Sequence, residues 1–201
     1  MRNLTTLVLI GLLAACKPAA DSAPADSDPV APPVPEAKAD GPAAATTGVA
    51  LDGEGLRFVD KASGKASLLA FGVPRAQAEE ALARVAGTLD DRSTNEECGA
   101  GPMDFTRFDA MTLNFQGGKF VGWFLGNEPG ADQYSTLSGI AIGTARAKAA
   151  ESVTLVMMED STLGEEFSLG SGDNTVGGMF AAPGDAAKID ALFAGANCFA
   201  R

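Results

Sequence analysis

Apolar residues are distributed very unevenly along the chain. They are nearly continuous from Leu4 to Leu12, almost vanish from Lys17 to about Thr47, and return from Val49 onward with the short periods of packed secondary structure. Within this last region Met111, Leu113 and Phe115 alternate with polar neighbours, and Gln116-Gly117-Gly118-Lys119 turns the chain into Phe120 to Leu125, which predicts a β-hairpin. A second strand pair is predicted from Phe167 to Leu169 and from Val176 to Phe180, joined by a glycine-rich loop and followed by a turn at Pro183-Gly184. Ala78, Ala81, Leu82 and Val85 fall on one helical face and Glu79, Glu80 and Arg84 on the other, with Gly87 at the end: a helix laid on a sheet. Ile189 to Gly195 suits a helix by its alanines and a possible Asp185 cap, and a strand by its place in the repeat described next; strand is expected, because pairing commonly overrides propensity.

The segment from Leu69 to Val85 aligns without gaps with Ile140 to Val156, and seven of the seventeen positions are identical, among them Gly72/Gly143, Arg75/Arg146 and Glu80/Glu151. This reads as a tandem duplication. Each copy is expected to begin as a short strand, Ser67 to Phe71 and Gly139 to Ile142, ended by the paired glycine. A helix then starts, with Pro74 in its first turn in one copy and Thr144 as N-cap in the other. The fold class expected is α+β: two similar strand-helix-strand-strand halves, 48–130 and 131–201, forming antiparallel sheet with helices packed on one face.

Composition narrows the chemistry. The chain of 201 residues carries a formal charge of -11, which opposes binding to nucleic acid or to anionic lipid; the acidity is expected to serve solubility, the alternative being that it favours a basic partner. Histidine is absent, which removes the usual zinc ligand sets and the Ser-His-Asp and Cys-His nucleophile schemes. Asp90-Asp91, Glu96-Glu97, Glu159-Asp160 and Glu165-Glu166 are the material for acid-base work, but adjacent residues on a strand point to opposite faces, so no single pair could act alone. Asp173-Asn174 lacks the acidic spacing of a calcium loop, Gly118-Lys119 lacks the upstream glycine of a phosphate loop, and Ser171 lacks nucleophile-elbow spacing. No catalytic residue, metal or cofactor is expected. Trp123 and Tyr134, the single residues of their kinds, are candidates for recognition if one sheet face is left uncovered; core or edge packing is the alternative for Trp123.

Leu13-Ala14-Ala15-Cys16, behind Arg2 and a short apolar run, resembles the lipobox of bacterial lipoproteins. The resemblance implies a signal peptide over 1–15 and lipidation of Cys16; composition and length add a linker over 16–47 and a globular domain over 48–201. Removal of Arg2 with the leader leaves 14 basic against 26 acidic residues, a balance of -12. Several acyl chains would hold the protein firmly at a membrane. Lys17, where inner-membrane lipoproteins often carry Asp, points by analogy to the outer membrane, facing the periplasm. Seven of the eleven prolines lie in the linker, a composition expected to stay disordered and to span roughly 30 Å as a coil. With Cys16 assigned to lipid, Cys98 and Cys198 remain as a pair in an oxidising compartment, a disulfide being expected and two free thiols the alternative.

Gly72-Val73-Pro74-Arg75 and Gly143-Thr144-Ala145-Arg146, each with its following helix, resemble the helix-on-sheet repeats of the β-lactamase inhibitory protein and of outer-membrane assembly lipoproteins of the BamE (SmpA/OmlA) type. The resemblance is architectural and carries no functional residues with it. The expected function is a non-catalytic protein-binding or assembly-support domain with a protein partner in the envelope; the resemblance implies, as a special case, an inhibitor of a secreted enzyme. The competing readings are a carboxylate-based hydrolase acting on envelope material and a small-ligand-binding domain.

Overall fold

In the computed structural model, residues 46–199 apart from Ser171 and Asp173 are described; Cys16 and the linker as far as residue 45 lie outside them, and Thr47, expected as the last linker residue, opens the first strand. In chain order the domain forms β1 (Thr47–Asp52), β2 (Gly55–Asp60), β3 (Ala66–Ala70), helix α1 (Arg75–Ala86), β4 (Asp91–Asn95), β5 (Met103–Phe108), β6 (Met111–Gln116) and β7 (Lys119–Leu125). A single turn of 3-10 helix, Ala131–Gln133, leads to β8 (Tyr134–Thr136), helix α2 (Arg146–Ser152), β9 (Leu155–Met157), β10 (Glu166–Leu169), β11 (Val176–Phe180) and β12 (Ile189–Gly195). The class is α+β, dominated by strand.

Two sheets result. Four strands run in the order β3-β2-β1-β8, and eight in the order β4-β5-β6-β7-β12-β11-β10-β9. The larger sheet consists of two antiparallel meanders, each following a helix, joined where β7 pairs with β12. The segment left open between helix and strand by its sequence, Ile189–Gly195, is therefore a strand, and its partner is β7.

Register decides which side chains are buried. Leu113, Trp123 and Ala194 form one cross-strand row, and Met111, Leu125, Leu192, Gly178 and Phe167 form the next. All the side chains in these rows are buried, each large one contributing about 1.5–3 kcal/mol. Phe120 and Trp123 share this face although they are three residues apart, because a β-bulge between Asn114 and Phe115 leaves Val121 unmatched; a bulge lies likewise between Met179 and Phe180 opposite β12. Helix α1 buries Ala78 and Leu82 and lies against β1, β5 and β7. Trp123 Nε1 donates to the Asp52 carbonyl at 3.0 Å, tying the end of β1 to the middle of the large sheet.

The paired glycines form equivalent junctions. Gly72 N donates to Phe120 O and Phe120 N to Val73 O; Gly143 N donates to Ile189 O and Ile189 N to Thr144 O. Both glycines have positive φ, 92° and 81°, a conformation that L side chains rarely adopt.

Three expectations are corrected. Gly139 to Ile142 is not a strand: Gly139 turns the chain at φ 81° and Ile140 is buried as a single residue. Each helix is followed by four strands rather than two, and the strand before α1 belongs to the smaller sheet. Thr144 does not cap α2; its hydroxyl turns back to accept from Ala141 N, and Ala145 occupies the N-cap position, as Pro74 does in α1.

Cys98 and Cys198 are joined in a disulfide across a sequence separation of 100. On the chain-entropy account a loop of that length is worth up to about 4.7 kcal/mol. Reduction is expected to lower the thermal midpoint of the domain well outside experimental error; an unchanged midpoint in a calorimetric scan of the reduced, alkylated protein would show that the bridge contributes nothing to stability.

Candidate functional site

The two faces of the eight-stranded sheet differ in composition. Opposite the core rows, the register aligns Asp91, Arg107, Thr112, Phe124, Phe193, Gly177, Ser168 and Val156 across all eight strands. Apart from Phe193, at 8 % exposure, these residues are partly or fully exposed, and Val156 reaches 47 %. Phe124 and Phe193 are cross-strand neighbours at the β7-β12 seam, and Phe105 and Met179 lie on the same face. Gly177 leaves room for the Phe193 ring, which would stand 2.3 Å from any Cβ added there.

The segment Ala196–Phe199 crosses the seam on this outer face. Ala196 N donates to Val121 O, and the buried Asn114 donates through Nδ2 to Ala196 O at 2.9 Å and to Asn197 Oδ1 at 2.8 Å. The Phe199 ring stands edge-on to Phe193 at 4.7 Å and to Phe124 at 6.2 Å. A depression of about 250 Å³ beside it is lined by Phe105, Thr112, Asn114 and Phe124 together with this segment. On the other half an open groove of about 580 Å³ runs over Ser168 and Gly177, with Val156 and Met158 on one side and Phe193 on the other. Aromatic side chains on an otherwise polar, partly open sheet face are the material from which protein-docking anchors are made.

The sequence-predicted residues are distributed differently. Trp123 and Tyr134 are 0 % and 2 % exposed, so neither is available as a surface anchor. The apolar run Phe120 to Leu125 contains both faces of β7, and the bulge turns Trp123 inward and Phe124 outward. The Tyr134 hydroxyl is buried without a hydrogen-bond partner among the described residues, and burial, with a smaller contribution from Asp109, pushes its pKa up to about 12. Cys16 and Asp173 lie outside the described residues, while Asn174 donates to Glu54. The outer-face phenylalanines were not singled out by sequence, although continuous apolar runs in β7 and β12 are the signal of a strand with two apolar faces.

The acidic pairs do not gather. Asp90 accepts from Asp109 N, Glu96 and Glu97 are exposed, Glu165 pairs with Arg146, and Glu166 accepts from Ser161. The 580 Å³ groove has one carboxylate in its lining, Glu166; a groove of about 670 Å³ between β2, β3 and α1 also has one, Asp60. Neither presents the facing pair that glycoside hydrolysis uses. Among the described residues, no three or more acidic or cysteine side chains gather as a set that could hold a metal ion.

One charged cluster is built with care. Glu79 accepts from Arg92 at 3.0 and 2.8 Å, from Thr106 at 2.6 Å and from Arg75 at 2.8 Å, fastening α1 to β4 and β5. The bond from Arg92 does most to lower the Glu79 pKa to about 2, with Thr106 and Arg75 adding to it against the effect of burial. Such a carboxylate stays ionised and is unsuited to proton donation at neutral pH. Arg75 also lies over the Phe115 ring at 4.9 Å and pairs with Asp104; Arg146 lies over Phe180 at 4.5 Å and pairs with Glu165.

Because the Glu79 pKa is depressed on folding from its ordinary value of 4.5, its stabilisation is present above pH 4.5 and is lost as pH falls toward 2. Glu79→Gln is expected to destabilise by about 1–2 kcal/mol at pH 7, less than the whole shift implies because Arg92 is half exposed and screened. Urea unfolding at pH 7 and pH 3 would show the deficit shrinking at the lower pH; an equal deficit at both would assign Glu79 a packing role only.

No protein-family model, curated protein or solved structure matches the chain.

Proposed function

We propose that this protein is a lipid-anchored envelope lipoprotein whose domain is a duplicated, non-catalytic protein-docking or assembly-support module. The observation that carries the reading is the outer sheet face, where the partly exposed Phe124 and Phe199 stand over the buried Phe193 at the seam between the two meanders and Phe105 lies on the same face at β5. A face of this kind offers area and rigid apolar anchors without a cleft of converging acids.

The duplication is supported by more than the sequence alignment. The paired glycines make matching hydrogen bonds, the paired arginines stack on Phe115 and Phe180, and the acids they meet, Asp104 and Glu165, hold corresponding places in the two meanders. The bulges opposite β7 and β12 correspond as well. On this reading both helices occupy one face of the large sheet and leave the other to a partner.

The anchor rests on Leu13-Ala14-Ala15-Cys16 behind its apolar run. The pairing of Cys98 with Cys198 agrees with an oxidising compartment and leaves Cys16 as the odd cysteine. No helix among the described residues is long and apolar enough to cross a membrane. Attachment through lipid, the linker as spacer and the periplasm-facing outer membrane as address complete the proposal.

Two measurements test it. Cys16→Ala is expected to move the protein from the membrane fraction to the soluble fraction, and unchanged retention would remove the anchor. A photo-crosslinking amino acid at Thr112 or Met179 on the outer face is expected to capture defined envelope proteins, identified by mass spectrometry, that the same group at Lys148 on α2 does not capture. Equal capture from both faces, or none from the outer face, would overturn the docking reading.

A further inference from the structure

We infer that Ala196–Phe199 is a strap, locked by the Cys98–Cys198 disulfide over an aromatic slot on the outer sheet face, and that reduction of the bridge by a dithiol opens the slot. The docking reading above gives this inference its purpose, but the strap is defined by its own contacts. Its side chains and carbonyls make the kinds of contact an extended partner segment would make. Phe199 places its ring against Phe193 and Phe124, and Asn114 supplies donors to Ala196 O and Asn197 Oδ1. Asn114 is 1 % exposed, and with the strap gone its amide would lose both acceptors.

Hydrogen bonds, ring contacts and one covalent tie hold the strap. Each hydrogen bond contributes about 1 kcal/mol net and an aromatic pair a similar amount. The covalent tie lies next to Phe199 and fixes the strap to the loop between β4 and β5, an element of the first meander. Removing it leaves the strap tethered only through the backbone at Gly195, so that its far end, with Phe199, is held at a lower effective concentration and competes with solvent and with other chains.

The chemistry balances as a thiol–disulfide exchange. A thiolate of the dithiol attacks one sulfur of the bridge, the S–S bond breaks, and a mixed disulfide forms. The second thiol then displaces the protein sulfur, leaving thiols on Cys98 and Cys198 and an oxidised, cyclic reductant. Two electrons and two protons pass from the dithiol to the protein. In the oxidised state the slot is filled in cis; in the reduced state it is free for an extended segment that carries an aromatic side chain.

The test uses the purified full chain and an apolar fluorescent dye as probe, at a temperature below the melting of the reduced protein. Reduction and alkylation are expected to raise dye binding severalfold while the emission maximum of Trp123, the single tryptophan, stays unchanged. Phe199→Ala with the disulfide intact is expected to raise dye binding in part without reduction, which keeps the test decisive if the reduced protein proves too unstable. Unchanged dye binding in both samples would overturn the strap. A rise accompanied by a red shift of Trp123 would also overturn it, because the whole domain would then be loosening. Neither result depends on a partner, so failure here leaves the crosslinking test of the docking face standing, and failure there leaves the strap standing.

Discussion

Everything in the large sheet depends on the pairing of β7 with β12. These strands are distant in sequence, and each is the last strand of its own meander. Where they join, Trp123 meets Ala194 and Leu125 meets Leu192 on the core side, and Phe124 meets Phe193 on the other. One ladder therefore completes the hydrophobic core and creates the aromatic centre of the opposite face. The Trp123 hydrogen bond to Asp52 carries the constraint further, into the smaller sheet.

The sequence disclosed those parts of the fold in which period and turn chemistry agree. The hairpin of β6 and β7 was legible because Gly117-Gly118, with φ of 54° and 72°, supplies the turn its alternating strands require. Helix α1 was legible because its apolar stripe stops at a glycine. β4 was not, because Asp91-Arg92-Ser93-Thr94-Asn95 has no apolar side chain to alternate; it is a strand through its ladder with β5 and the grip of Arg92 on Glu79. Gly139 to Ile142 misled in the opposite sense, since two isoleucines two residues apart imitate a strand where only a turn exists.

The site was harder to read for a related reason. In the run Phe120 to Leu125 both alternating sets, Phe120 with Phe124 and Val121 with Trp123 and Leu125, are apolar but for Gly122, so period alone does not say which aromatic is buried. A single bulge settles it and exchanges the roles of Trp123 and Phe124. The cysteine count, by contrast, indicated the bridge directly once one cysteine was set aside for lipid. Net acidity says nothing of the outer face, where the charged residues of the central row, Asp91 and Arg107, stand at one end.

The seam also imposes an order on the birth of the fold. Until β12 has been made, β7 is an open strand edge with Phe120, Trp123 and Leu125 beside it, the kind of surface on which like chains stick together. In the finished sheet that edge lies at the centre. The rims are β4, polar along its whole length, and β9, three residues long. The protein is thus most vulnerable to association with its own copies in the interval between delivery of its first meander and its last strand, and safest once that strand has closed the sheet.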